Sequence, residues 1–370
     1  MSASPSDVTA LLGGKVKFAG DGGFHAELKR RVQEDLRQAG LSPHGGPRMW
    51  LKTAIILAWF AGSYGLLVFA ATTWWQAALL AVSLVFAVAG TGFSIQHDAN
   101  HGAYSSKRGV NRLMGMTLDM VGASSYVWNW KHNVLHHTYP NVAGADPDIG
   151  AEPFARLSPG QRRRSLHRLQ QFYMWALYGF LFLKWHLVDD FQNVAQGRIQ
   201  TSKIPRPRGL RLFELFVGKA VFFGWALVVP LLFHRIWVVL LFYGAMSTAL
   251  GVLLAVVFQL AHCTEEAGFL GLPAGSQRVP EGWAAHQVHT TMNFARRNRL
   301  LTWYLGGLNF QIEHHLFPRV CHIHYPRISQ IVERGCAEYG VRYVAHEGLF
   351  GALGSHWRWL RRLGRADASV

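Results

Sequence analysis

Charge is scarce in this chain. Asp, Glu, Lys and Arg make up 16% of its 370 residues, against about 25% in soluble domains. Half of the residues are hydrophobic and 13% are aromatic. That balance excludes intrinsic disorder and argues against the two or three soluble domains that the length alone would allow. Cysteine is scarcer still. Cys263, Cys321 and Cys336 are an odd number at no motif spacing, which excludes a disulfide scaffold and fits a reducing compartment. Carboxylates are few: 21 Asp and Glu face 37 Lys and Arg, giving a formal charge of +16. There is no internal repeat of solenoid period. No secretory signal is visible either, because the first apolar run starts about fifty residues in.

What is present decides the class. Residues 51–72 form an apolar run of 22 with one charge, Lys52, at its edge, and residues 76–95 form a run of 20 with none. Residues 215–233 are a third, with Lys219 one turn from its end and able to snorkel. Residues 236–260 are a fourth, 25 long and free of Asp, Glu, Lys and Arg. At about 1.5 Å per residue each crosses a hydrocarbon core of about 30 Å. In lipid the backbone must bond internally, so these are helices. Thr73, Trp74 and Trp75 close one hairpin, and His234 and Arg235 close the other. Both turns are too short to hold a domain, so the bulk lies on one side. The expected architecture is an all-α integral membrane protein of four transmembrane helices in two hairpins, with a helical cap that holds the chemistry. Its parts are an amino-terminal segment (1–50), hairpin one (51–95), a cap segment (96–214), hairpin two (215–260) and a second cap segment with a basic tail (261–370). Nearly all Lys and Arg lie on the cap side, which the positive-inside rule makes cytoplasmic, with both termini. The positive charge is then a topology and membrane-surface signal. With no nucleic-acid motif, it does not point to nucleic acid.

Within the cap, residues 1–23 are Gly-, Ser- and Asp-rich and expected to be mobile at the start. Phe24, Leu28, Val32 and Leu36 recur every four residues and predict an amphipathic helix. Residues 40–47 read as a break and 202–208, with Pro205 and Pro207, as a linker. Residues 169–187 are apolar but end in Lys184, His186, Asp189 and Asp190. A fifth crossing would put the next basic segment outside, so this stretch is expected to lie in the interface or dip into it. Ile328, Ile331 and Val332 after Pro326 mark another amphipathic helix. Trp357, Trp359, Leu360 and Leu363, among four arginines, look like an interfacial tail.

Histidine is the second excess, at 19. His97 and His101 are spaced i, i+4 and share a helical face. His132, His136 and His137 form H-x3-H-H, and His314 and His315 are adjacent. His262 follows the fourth run by two residues. Runs two and four head toward the same side, so His97 and His262 start from similar depths. A single histidine is ordinarily a packed or solvated side chain, but two adjacent pairs on one side of a membrane have no packing rationale. Imidazole is the commonest metal ligand and suits Zn, Cu, Fe and Ni. A structural zinc takes four ligands, whereas eight neutral nitrogens suffice for two strongly Lewis-acidic metals with open positions. Asp98, Asp146, Asp148 and Glu313 are candidates to orient the rings, although Asp146-Pro147-Asp148 is also an ordinary turn sequence. Two metals serve hydrolysis or redox chemistry, and spacing does not choose between them.

Three motifs carry a resemblance. They are His-Asp-Ala-Asn-His-Gly (97–102), His-Asn-Val-Leu-His-His-Thr-Tyr-Pro-Asn (132–141) and Asn-Phe-Gln-Ile-Glu-His-His-Leu-Phe-Pro (309–318). They resemble the three histidine boxes of the membrane fatty-acid desaturases, in order and topology, over roughly residues 15–345. Gln at the head of the third box resembles the acyl-lipid and front-end branch. The resemblance implies a non-haem di-iron centre that uses O2 to remove two hydrogens from an acyl chain bound to lipid, CoA or acyl carrier protein. It implies an external electron donor such as a ferredoxin or a cytochrome, and a bacterial inner membrane is the expected location. By position it implies the metal ligands His97, His101, His132, His136, His137, His314 and His315, with His262 as an extra ligand. Gln311 stands where other branches have a His. It either binds metal, through its carbonyl or a water, or orients His315. His286, His289, His322 and His324 are expected to be non-ligands. Eukaryotic front-end members of that family often carry a cytochrome b5 domain, and Ser-Pro-His-Gly-Gly-Pro (42–47) has the wrong order for its haem motif. Tyr126, Trp128 and Trp130 are candidates for a substrate tunnel or for the core. The basic cap suits an acidic partner, with anionic lipid as the competing attraction for the tail arginines. Hydroxylase, epoxygenase and acetylenase share such a site. A transporter, metal carrier or structural zinc protein is the alternative from another class.

Overall fold

The computed structural model describes residues 17–270 and 278–365. Four of its helices are long and apolar enough to cross a membrane by length and composition: Gly46–Phe69, Trp74–His101, Leu210–Leu231 and Ile236–His262. Their ends depart from the hydropathy runs for identifiable reasons. Pro47, expected in a break, sits in the first turn of the first span, where its missing N–H costs nothing. The second span continues to His101 because backbone bonding does not stop where hydropathy does. The first histidine pair therefore rides on the same rod as the span.

The first hairpin turn is locally encoded. Thr73 Oγ1 accepts from Gln76 N while Gln76 Oε1 accepts from Thr73 N, a capping box for the second span. The second hairpin is tied to the first by His234 Nε2, which donates to Val68 O at 2.7 Å. Trp74 stacks on Phe242 and Trp237 at this end, an aromatic girdle of the kind found at membrane interfaces. The second span is the innermost. In its most apolar stretch 61% of residues are buried, against 22% to 33% in the other three.

The amphipathic helix expected at 24–36 is Phe24–Gln38, and its buried residues are Phe24, Leu28, Val32 and Leu36. They pack on Ile328 and Val332 of the helix Tyr325–Glu338 and on Ile312 and Leu316 of the third box. Of the Gly-rich leader, residues 1–16 lie outside the described residues. Lys17–Ala19 pairs in parallel with Arg278–Gly282. Among the described residues the other strand pairs are Arg198–Ile199 with Ser202–Lys203, antiparallel, and Asn293–Phe294 with Ala345–His346, parallel. These short ribbons pin loops and leave the class all-α.

Two expectations are corrected. Lys219 does not snorkel. Its ammonium is buried and donates to Asp190 Oδ2 at 2.6 Å, Gly122 O at 2.6 Å and His186 O at 3.1 Å. A carboxylate from the stretch read as interfacial had no visible partner in sequence, and the lysine supplies it. The carboxy-terminal segment is a helix, Leu349–Arg365, but its apolar face is not kept for lipid. Trp359, Leu360 and Leu363 are buried against Met174, Tyr178 and Ala255. The stretch 169–187 is helical, as Gln170–Tyr178, Phe180–Lys184 and a π-helical turn Trp185–Asp189, and it packs along the fourth span.

Candidate metal centre

Backbone geometry sorts the second box. Asn129–His136 is π-helical, and His137 N donates to His132 O at 3.0 Å, an i→i+5 bond. In an α-helix His132 and His136 would share a face. The wider turn instead aligns His132 with His137, whose Nε2 atoms lie 3.2 Å apart, and swings His136 away. Another π segment, Thr91–Gln96, leads into the helix His97–His101. Such bulges concentrate at functional sites. The third box is the helix Gln311–Leu316. It is reached through Gly306 and Gly307, both at positive φ. A Cβ on Gly306 would lie 2.2 Å from Phe93 O, so only glycine lets this loop press on the π segment before the first box.

All eight histidines converge. Donor atoms of His97, His101, His132 and His314 lie within 4.8 Å of one another, and so do those of His136, His262 and His315. His137 joins the two groups, with its ring stacked on His315 at 4.3 Å and 4.6 Å from His314. The outward nitrogens are held. His136 Nδ1 donates to Asp146 at 3.1 Å, His315 Nδ1 to Gln287 Oε1 at 2.8 Å and His262 Nδ1 to Thr290 O at 3.3 Å. His314 Nδ1 meets Tyr325 OH at 3.3 Å. The inward Nε2 atoms of His97, His101, His314 and His315 are not: they are buried without a hydrogen-bond partner, while His137 turns its Nε2 to that of His132. Each such atom costs about 1–3 kcal/mol, and four in one cluster fit metal ions as the missing partners.

Electrostatics agree with that fit. Burial, reinforced by the neighbouring rings, holds His132, His137, His314 and His315 well below the usual imidazole range. They are therefore neutral, as metal ligands must be. Burial also pulls on His136, but the Asp146 carboxylate overrides it and raises the net value. Trp128 stacks on His132 at 4.3 Å, which gives that ring a fixed plane.

Of the acids expected to orient the rings, Asp146 contacts a box histidine, His136 Nδ1. Asp148 is at 3.5 Å from His136 Nδ1 and 2.8 Å from Lys131. Asp98 turns away from the cluster: it accepts from Cys321 Sγ and His322 Nδ1, both at 2.8 Å, while His322 Nε2 faces Lys52 Nζ at 2.8 Å. A lone buried carboxylate is paired where a cation can reach it, and Lys52 of the first span supplies that charge. Glu313 likewise serves Asn293 and Tyr343, and burial raises its carboxyl to about 7. Gln311 reaches a histidine other than His315. Its amide stands 3.0 Å from His262 Nε2, inside the second group. Gln287, Thr290 and Tyr325 were missed. Their positions carry no spacing signal, although Gln287 lies between two histidines that drew notice. Asn141, within the second motif, donates to His262 O at 2.8 Å and ties that box to the fourth span. Both nitrogens of His286 are taken, by Glu281 and Pro140 O, and His289 Nδ1 donates to Glu281. Tyr126 and Trp130 pack beside Ile199 and Ile204, whereas Trp128 lines a cavity.

That cavity, of about 30 Å³, runs beneath His97 and Trp128 between apolar side chains of the spans. Val88, Phe182 and Leu250 also line a second cavity of about 230 Å³, which continues between the four spans to the hairpin turns at Thr73 and His234.

Residues 72–347 match the family model described as fatty acid desaturase. The chain is 39% identical over 353 residues to an sn-1 linoleoyl-lipid 6-desaturase of Arthrospira platensis, covering 94% of this chain and 95% of the relative. It is 38% identical to a protein of the same name from Synechocystis sp., covering 95% and 99%. It is 39% identical to an acyl-lipid (8-3)-desaturase of Physcomitrium patens, covering 93% and 72%. A helical membrane protein with converging histidines is thus a membrane oxidoreductase, and the chain belongs to the fatty acid desaturase family. It is an enzyme that introduces a double bond into a fatty-acyl chain.

Proposed function

We propose that this chain desaturates acyl groups carried on membrane lipids, near the carboxyl end of the chain, at two iron ions held by His97, His101, His132, His136, His137, His262, His314 and His315. The observation that carries this reading is the convergence of eight histidines, four with unpartnered inward Nε2 atoms, beside an apolar cavity. When bound, such an iron pair supplies the O2 activation needed to remove two hydrogens from unactivated carbons. O2 takes four electrons to become two waters: two come from the broken C–H bonds and two from an external donor such as a ferredoxin or a cytochrome.

The chain's own residues do the rest. Asp146, Gln287 and Thr290 fix the rings of His136, His315 and His262 so that their Nε2 lone pairs point inward. Gln311 can turn its carbonyl to the same point as His262. The cavities below His97 accept the methyl end and exclude water there. Each buried CH2 contributes about 0.8 kcal/mol to binding. Oxidation close to the carboxyl end leaves a long tail beyond the metals, and the larger cavity between the spans offers room for it. The names of the relatives support lipid-bound substrates and the 6 position. We further infer that the centre and both termini face the cytoplasm of a bacterial inner membrane, on the basic side of the spans.

Elemental analysis of the detergent-purified protein is expected to give about two irons per chain, and product from a lipid-bound substrate should be lighter by two hydrogens. Zinc in a metal-replete preparation, or a product heavier by one oxygen, would refute this reading. The junction of the cavities gives a sharper expectation. Val88→Phe should cut kcat/KM for long chains about 50-fold by displacing roughly three methylenes, while shorter chains are spared. Unchanged chain-length preference would show that the tail does not pass Val88.

A further inference from the structure

Two basic segments far apart in sequence lie side by side. Residues 160–169 carry Arg162, Arg163, Arg164 and Arg168, and the helix Leu349–Arg365 carries Arg358, Arg361, Arg362 and Arg365. All eight are exposed, and neither segment contains an Asp or Glu. The joint between them is built in. A Cβ on Gly364 would lie 2.2 Å from His167 O, so the helix backbone rests directly on the 3-10 turn Ser165–Leu169. Buried Gln170 donates to Leu360 O at 2.8 Å and buried Arg156 to Leu363 O at 3.0 Å. Both side chains tie down the last turns of the helix, and the basic faces are left pointing outward. Glu265 holds Arg358 at 2.6 Å, and within the helix Arg361 lies over Trp357.

We propose that this platform binds the anionic headgroups of the bilayer that surrounds the spans. Two features favour lipid over an acidic protein. The arginines border Gln170–Tyr178, which packs along the fourth span. Leu169 and Phe172 beside them are 59% and 63% exposed, and large apolar groups next to a cationic rim match the boundary between headgroups and acyl chains. The burial of Trp359, Leu360 and Leu363 in the protein thus leaves the tail a different task, holding charge at the membrane surface.

The test does not depend on catalysis. Protein reconstituted in equal parts phosphatidylglycerol and phosphatidylcholine is extracted in mild detergent, and the retained lipids are quantified. A basic residue at an anionic surface favours the charged lipid by about five-fold. The wild type should retain phosphatidylglycerol several-fold over phosphatidylcholine. The quadruple variant R162Q/R164Q/R361Q/R362Q should fall to the input ratio, and R162K/R164K/R361K/R362K should keep the enrichment. Wild-type retention at the input ratio would overturn the proposal, as would equal enrichment in the Gln variant. Loss of enrichment in the Lys variant would do the same, because charge would then not be the cause. Salt-sensitive capture of an acidic ferredoxin with no lipid enrichment would assign the surface to a protein instead.

Discussion

His137→Ala and His315→Ala are each expected to lower product formation by about 10³-fold or more, the scale of losing a metal's several kcal/mol of transition-state stabilisation. His137 is the more informative of the two. It belongs to neither group alone, standing 3.2 Å from His132 and stacked on His315, so its removal disturbs both. Iron content should fall in both variants, while size-exclusion profiles stay monodisperse, because the helices that carry the rings are held by apolar packing outside the cluster. His289→Ala is the internal control. That ring bonds Glu281 at the rim of a separate cavity, and activity should stay within a few-fold of wild type. Full activity in His137→Ala and His315→Ala would sink the ligand assignment.

The second large effect is on stability. Lys219→Met leaves Asp190 without its cation, in a site where the carboxylate is fully buried. Breaking a buried pair from one side costs about 3–5 kcal/mol, whereas replacing both partners with apolar residues is often near neutral. Lys219→Met should therefore unfold at markedly lower temperature, and K219M/D190L should regain most of the loss. A single variant as stable as wild type would mean that the pair constrains nothing. The consequence reaches the metal centre. Asp190 Oδ2 also accepts from Ser124 N at 2.8 Å, and Ser124 caps the helical turn that runs into the π segment bearing His132 and His136. One salt bridge thus joins the third span, the helix beside the fourth and the start of the second box.

The sequence by itself located the four apolar spans and the histidines that the fold brings together. Each follows from a local rule. Hydropathy over about twenty residues reports a span, four-residue spacing picks out Phe24, Leu28, Val32 and Leu36, and paired histidines declare metal chemistry wherever they fold. The tertiary structure alone decided which histidines share a group. The outcome hangs on an i→i+5 bond at His137 that no periodicity announces. It also decided the fate of each charge. Asp98, next to a box histidine, serves His322 and Lys52 instead, and Lys219 is turned inward to Asp190. A carboxylate in sequence carries no address. Burial makes an unpaired charge so costly that it takes whichever cation the packing brings near, and that is settled by contacts between residues 29 to 270 positions apart.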